Sequence, residues 1–328
     1  MDQTWQKCVL GRESIHVFSA KYYAACAAGG MLSAGTTHFL VTPFDMLKVN
    51  MQVNPLKYRS ILTGLEVLWK EQGVAGLWKG WSGKLCGYGT QGACRFGLYE
   101  YFKKQIRDNA ESSYMPSNRT ATYVAASASA GIIADVALCP FEAVKVRVQA
   151  QPLFAKGLVD GFPKFYSSEG IFGFYKGLLP LWARSTPFTI LMFSSFEHSV
   201  DLLYSHVIKR PKIKCSKGTQ LGVTCAAGYF SGMVGTIITN PADNVISYLN
   251  NNDGTVLQAV KQIGLVGLFT RSLPLRIMLV GPVVTMQWFI YDLLKVSIGL
   301  PTSGDLDGGI SEQNEDNKVC NLLPHIDH

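Results

Sequence analysis

The sequence predicts an all-α membrane protein: six transmembrane helices in three tandem repeats of about 100 residues, packed with threefold pseudosymmetry. Three observations predict it. Of the 328 residues, 48% are hydrophobic and only 16% charged, against roughly a quarter charged in soluble domains. A decapeptide recurs, as PFDMLKVNMQ at 43–52, PFEAVKVRVQ at 140–149 and PADNVISYLN at 241–250. Two further landmarks follow it in the same order each time: EQGVAGLWKG, SEGIFGFYKG and QIGLVGLFTR at 71–80, 168–177 and 262–271, then GLYEYFKK, SSFEHSVD and FIYDLLKV at 97–104, 194–201 and 289–296.

Each repeat reads alike. A long apolar helix runs into the Pro-x-acid motif, a polar segment with a short helix follows, and a second apolar helix ends at the aromatic-acid motif. The predicted helices are 19–52, 81–106, 120–150, 180–206, 218–250 and 276–298. The division is an N-terminal segment 1–18, repeats at 19–106, 120–206 and 218–298, and a tail 301–328 that is polar, acidic and expected to be disordered. No window reads as a clean, charge-free span of about 20 apolar residues, and the candidate spans carry isolated charges that need a protein interior or a wet cavity. Gly228 and Gly232 form a GxxxG that lets helices approach closely.

Helical spacing places the polar residues. His38, Asp45 and Gln52 are seven apart and share a face; so do Asp135, Glu142 and Gln149, and Thr236, Asp243 and Asn250. Facing lipid would cost several kcal/mol per charge, so the three stripes should line a common axis. Pro43, Pro140 and Pro241 are expected to kink these helices. The acid of one repeat can then pair with the lysine of the next: Asp45 with Lys145, and Asp243 with Lys48. Glu142 lacks its lysine, because that position is Ile246. A second ring is expected at the other end, from Glu100 with Lys103, Glu197, and Asp292 with Lys295; Val200 stands where the fourth helix should carry a base. Two weak ion-pair rings at opposite ends suit gates that a ligand can break.

Repeat register sets Lys84, Arg184, Arg276 and Arg95 along the cavity, with Gln91 one turn from Arg95 and Gln287 level with it. Fixed guanidinium groups against few unpaired acids suit a small oxyanion, and the net charge of +7 agrees. His38, which titrates near neutrality, and Asp135 at the equivalent level are the candidates for handling a proton. Spacing alone does not separate phosphate from sulfate or a dicarboxylate. No zinc-ligand spacing, phosphate-cradling glycine loop, nucleophile–base arrangement or RNA-binding aromatic motif is present, so metal, cofactor, nucleic acid and enzymatic activity are not expected. The eight cysteines include no CxxC and lie mostly in apolar segments, which points to reduced thiols.

The triplicated Pro-x-(Asp/Glu)-x-x-(Lys/Arg) motif with its two companions resembles the mitochondrial carrier family over about residues 20–300. Within it, GTTH at 35–38, QVNPLKYRSI at 52–61, GYGTQGACRFGLYE at 87–100, AASASAGIIADVALCPFEAVKVRVQ at 125–149, CSKGTQLGV at 215–223, PADNVIS at 241–247 and QWFIYD at 287–292 are similar to the branch that carries phosphate. The resemblance implies import of inorganic phosphate into the matrix with a proton, or against hydroxide. It also implies the mitochondrial inner membrane and both termini on the intermembrane-space side. A functional monomer in contact with cardiolipin is expected. The sequence departs from the family at Gly131, where its third-helix carboxylate falls, and at Ser185, Met192, Asn240 and Pro282. Those departures leave open a carrier of another small ion (a dicarboxylate, sulfate or copper) or a regulator impaired in transport.

Overall fold

The structure, a computed structural model, describes residues 16–44, 46–47, 61–78, 80–112, 119–150, 154–155, 157–251, 256–270 and 273–304. Asp45, Lys48, Gln52 and the tail from 305 onward lie outside the described residues, as do the pairings expected of them.

The first long helix, α1 (Ala20–Leu40), starts where the Ser19 hydroxyl accepts from the Tyr22 N–H at 3.2 Å, satisfying one of the free donors of a helix N-terminus. It stops at Val41, two residues before Pro43, and the chain is helical again at 42–44. The single helix expected over 19–52 is therefore interrupted. Proline cannot donate an N–H, and the Thr42 hydroxyl donates to the His38 carbonyl at 3.0 Å beside the break. Pro140 and Pro241, by contrast, sit inside α4 (Arg119–Ala150) and α7 (Lys217–Asn251). The remaining long helices are α3 (Trp81–Ser112), α6 (Leu178–Leu202) and α10 (Leu273–Ser297). Shorter helices fill the polar segments: α2 (Ile61–Leu77), α5 (Leu158–Gly173), α8 (Val256–Ile263) and α9 (Leu265–Thr270).

The second landmark of each repeat has a backbone explanation. Gly73, Gly170 and Gly264 have φ of 62°, 67° and 75°, the left-handed region that only glycine enters at little cost. Nothing lies within 4 Å of a Cβ added at any of the three, so conformation rather than space calls for glycine there.

The long helices form a closed ring in chain order: α1 packs on α3, α3 on α4, α4 on α6, α6 on α7, α7 on α10, and α10 back on α1. Glycine sets the closest approaches. A Cβ on Gly92 would lie 2.3 Å from the Gly30 carbonyl oxygen, and one on Gly30 would lie 2.4 Å from that of Gly92. Gly228 and Gly232 pack against Thr285 and Val284 of α10, where close backbone contact supplies the dispersion that lipid cannot replace. By length and apolar composition alone, Arg119–Val148, Lys217–Val245 and Arg276–Ser297 qualify as membrane spans among the described residues. α1, α3 and α6 are long enough at 21, 32 and 25 residues, but their polar residues are placed by the ring rather than by lipid.

Candidate functional site

One face of α3 carries Gln91, Arg95, Tyr99 and Lys103 at successive intervals of four residues, hence in one column along the helix. The first two meet Asp135 of α4. Gln91 Nε2 donates to Asp135 Oδ1 at 2.7 Å, and Arg95 Nη2 donates to the same oxygen at 3.2 Å. The Ser185 hydroxyl of α6 donates to the other oxygen, Oδ2. Asp135 is wholly buried and Gln91 nearly so. A buried carboxylate is tolerated only when paired and hydrogen-bonded, and here two neighbouring helices, α3 and α6, supply its three partners. Ser185, which the sequence marks only as a departure from the family, is thus a working member of the cluster.

Next to Arg95 on α3, aromatic side chains from three long helices pack together. Phe96, Phe193 and Trp288 come from α3, α6 and α10, and their ring centroids are 5.4, 5.2 and 5.2 Å apart. Phe196 stacks on Trp288 at 3.6 Å. This plug was missed in the sequence, although its signal is there: 96, 193 and 288 each follow 95, 192 and 287, the residues that repeat register sets at one level. Beyond the plug, Lys103 Nζ meets Glu197 Oε1 at 2.5 Å, and the Tyr99 hydroxyl donates to the same oxygen at 3.0 Å. Lys103 also lies over the Tyr99 and Tyr123 rings.

The second ring therefore differs from its expected pairing. Lys103 bridges to Glu197 of the next repeat rather than to Glu100 of its own helix. Asp292 is not paired with Lys295: it accepts from the Thr224 hydroxyl at 2.6 Å and from the Ser303 N–H and hydroxyl at 2.9 and 2.6 Å. Lys295 lies over the Tyr22 and Tyr291 rings, and it lines one small cavity with Glu100 and residues 301–304. Residues on one helix at i and i+3 share a face, but the facing helix offers the shorter reach once the bundle closes.

At the other end, Lys145 Nζ meets both oxygens of Glu142 at 2.9 Å within α4, so Glu142 has a base despite Ile246. Asp243 pairs with Arg276 of α10; its expected partner Lys48 lies outside the described residues. The same guanidinium donates to Asn240 Oδ1 at 3.1 Å, and Asn240 Nδ2 donates to the Leu268 and Phe269 carbonyls. Arg276 thus ties α10 to α7, and through Asn240 to α9. The expected His38–Asp135 pair is not formed: Asp135 has Gln91, Arg95 and Ser185, while the His38 ring stacks on Tyr88 at 3.7 Å with Lys145 5.4 Å from the same ring. Lys84 and Gln287 are buried and Arg184 is exposed. Among the described residues no group of histidine, cysteine or acidic side chains could hold a metal.

A closed six-helix ring built from three repeats, with a buried charge cluster behind a shut end, defines a membrane carrier, and the comparisons agree. The sequence profile of the family described as "Mitochondrial carrier protein" matches residues 19–110 and 116–207, so the chain belongs to the mitochondrial carrier family. Its similarity within that family is to phosphate carriers. It is 62% identical over 285 residues to "Mitochondrial phosphate carrier protein 1, mitochondrial" of Arabidopsis thaliana, covering 86% of this chain and 91% of that one. It is 45% identical over 286 residues to "Solute carrier family 25 member 3" of Homo sapiens (86% and 78%). It is 38% identical over 301 residues to "Probable mitochondrial phosphate carrier protein" of Schizosaccharomyces pombe (89% and 96%).

Proposed function

We propose that the protein carries inorganic phosphate across the mitochondrial inner membrane into the matrix together with a proton, by alternating access between two gates. The observation that carries this reading is the Asp135 cluster. Arg95, Gln91 and Ser185 are the donors an oxyanion needs, and all three are held by one carboxylate. A second anion competes poorly while that carboxylate is charged. Protonating Asp135 removes its hold on Arg95 and Gln91 and frees a guanidinium fork for phosphate, so proton and anion enter as a neutral unit. His38, stacked on Tyr88, is the group that passes the proton from the far end. Arg184 and Lys84 add positive potential along the path.

The plug and the Lys103–Glu197 bridge serve as one of the two gates, the one that faces the intermembrane space. Because the ring closes within one chain, the monomer is the transporting unit. Exposed Trp69 and Tyr166, on the short helices α2 and α5, suit the headgroup region of an anionic lipid such as cardiolipin.

The test is uptake of labelled phosphate by the purified chain in liposomes under an imposed pH difference. Saturable uptake that follows the gradient is expected, with Asp135→Asn losing the gradient dependence and His38→Gln weakening it. Uptake of sulfate, a dicarboxylate or copper in preference to phosphate would move the chain to another substrate. No uptake of any of them by folded protein would make it a regulator.

A further inference from the structure

The gate ring has a gap at Val200, the position at which α6 should offer a base to Asp292. The structure fills that gap from outside the repeats. After α10 the left-handed Gly299 (φ 83°) turns the chain back, with the Leu300 N–H on the Lys295 carbonyl at 2.8 Å. Residues 301–304, expected to belong to a disordered tail, are instead packed: Thr302, Ser303 and Gly304 are buried. Gly304 lies directly on Val200, so closely that a Cβ there would come within 2.5 Å of Val200 Cγ1. Ser303 gives Asp292 Oδ1 both its N–H and its hydroxyl, and Thr224 takes Oδ2.

The segment is itself anchored. Lys212, nearly buried, donates to the carbonyls of Thr302, Ser303 and Gly304 at 2.6, 3.1 and 2.9 Å. Gln220 receives the Thr302 hydroxyl at 3.1 Å and donates to the Lys212 carbonyl at 3.1 Å. A lysine that satisfies three carbonyls at once acts as a rivet rather than a solvated surface charge.

We propose that residues 300–304 are a gate element: Ser303, riveted by Lys212, replaces the ion pair that Val200 leaves out and holds α10 to α6 when the end is shut. Ser303 and Lys212 are positioning residues for the conformational step and touch no substrate. The closed end then has three links of different kinds. Lys103–Glu197 joins α3 to α6, the strap joins α6 and α7 to α10, and Glu100 with Lys295 lines the seam from α3 to α10. In the strap Lys212 meets neutral carbonyls and Asp292 meets neutral donors, so this link opens without parting a lysine–carboxylate contact.

This rests on the two-gate reading above, and the test separates the two. Spin-labelled unnatural residues are placed at Leu202 and Leu293, exposed near the ends of α6 and α10, in the full chain in lipid nanodiscs, and the distance between them is measured. Lys212→Met should raise the population with separated helix ends about tenfold, since three bonds from an ammonium are lost, and Ser303→Ala about threefold, since one of the two bonds to Asp292 Oδ1 is lost and the other stays. Adding Val200→Lys to Lys212→Met should return the short distance to within about twofold, because a true lysine–Asp292 pair then takes the place of the strap. Glu197→Gln serves as the reference for the other link. If Glu197→Gln separates the ends and neither strap variant does, or if Val200→Lys fails to restore the short distance, the strap is packing only and the proposal falls. If none of the three variants changes the distance, the gate itself is misassigned and the proposal falls with it. Should Lys212→Met fail to fold, Ser303→Ala alone and with Val200→Lys decides.

Discussion

Asp135 accepts from three side chains on two other stretches of chain, and each partner answers a different need. Arg95 neutralises it, Gln91 shares its inner oxygen, and Ser185 fills the outer one. Removing one partner of a buried pair costs about 3–5 kcal/mol, since the remaining charge is left uncompensated. Arg95→Gln should therefore both lower the thermal unfolding midpoint and abolish phosphate uptake. Asp135→Asn removes the charge that Arg95 balances while keeping the shape, so it should retain phosphate exchange under equal pH and lose the response to a gradient; the two assays, run side by side, check this. Spacing placed Gln91, Arg95 and Asp135 on cavity faces. It assigned Arg276 to the same task, and the structure adds that Arg276 reaches Asp243 and Asn240. Register gives a level along the bundle but not which of several facing acids a long flexible side chain selects.

Glycine decides the spacing of α1 against α3, and the cost of losing it depends on what the new methyl meets. At Gly92 the obstacle is backbone, the Gly30 carbonyl at 2.3 Å, with the Ala34 Cβ at 2.5 Å. Neither can move without parting the helices. Gly92→Ala should cost about 2–3 kcal/mol, seen as a clear drop in the unfolding midpoint. At Gly131 the new methyl would meet the Thr189 Cγ2 at 3.3 Å, the end of a side chain. Gly131→Ala should leave the midpoint within about 0.5–1 kcal/mol of wild type, since a helix gains from alanine what the small repacking costs. Equal midpoints for the two variants would refute this account of α1–α3 packing. The six long helices and their order were legible, because each repeat writes the same hydrophobic pattern. The break at Val41 was not, since Pro43, Pro140 and Pro241 carry the same motif and only the first accompanies an interruption.

At the scale of the whole molecule, aromatic rings from all three repeats pack against one another at one level of the bundle. Trp288 is the hub, stacked on Phe196 and edge-on to Phe96. Trp288→Ala should cost about 3–5 kcal/mol of stability as a core truncation. It should also let an impermeant solute leak through liposomes that the wild type seals, and a stable, sealed variant would show that the plug does not close the path. Repetition in the sequence determined the three hairpins and the column of polar residues along each, and it predicts inward-facing columns because only a buried axis tolerates charge in an apolar helix. Only the tertiary structure decided the pairings: Lys103 with Glu197 across repeats, Arg276 with Asp243, and Ser303 with Asp292 where Val200 leaves a vacancy. The reason is physical. Periodicity fixes the direction in which a side chain leaves its helix, whereas a hydrogen bond depends on ångström-scale distances that exist only once neighbouring helices, and the chain beyond them, have packed.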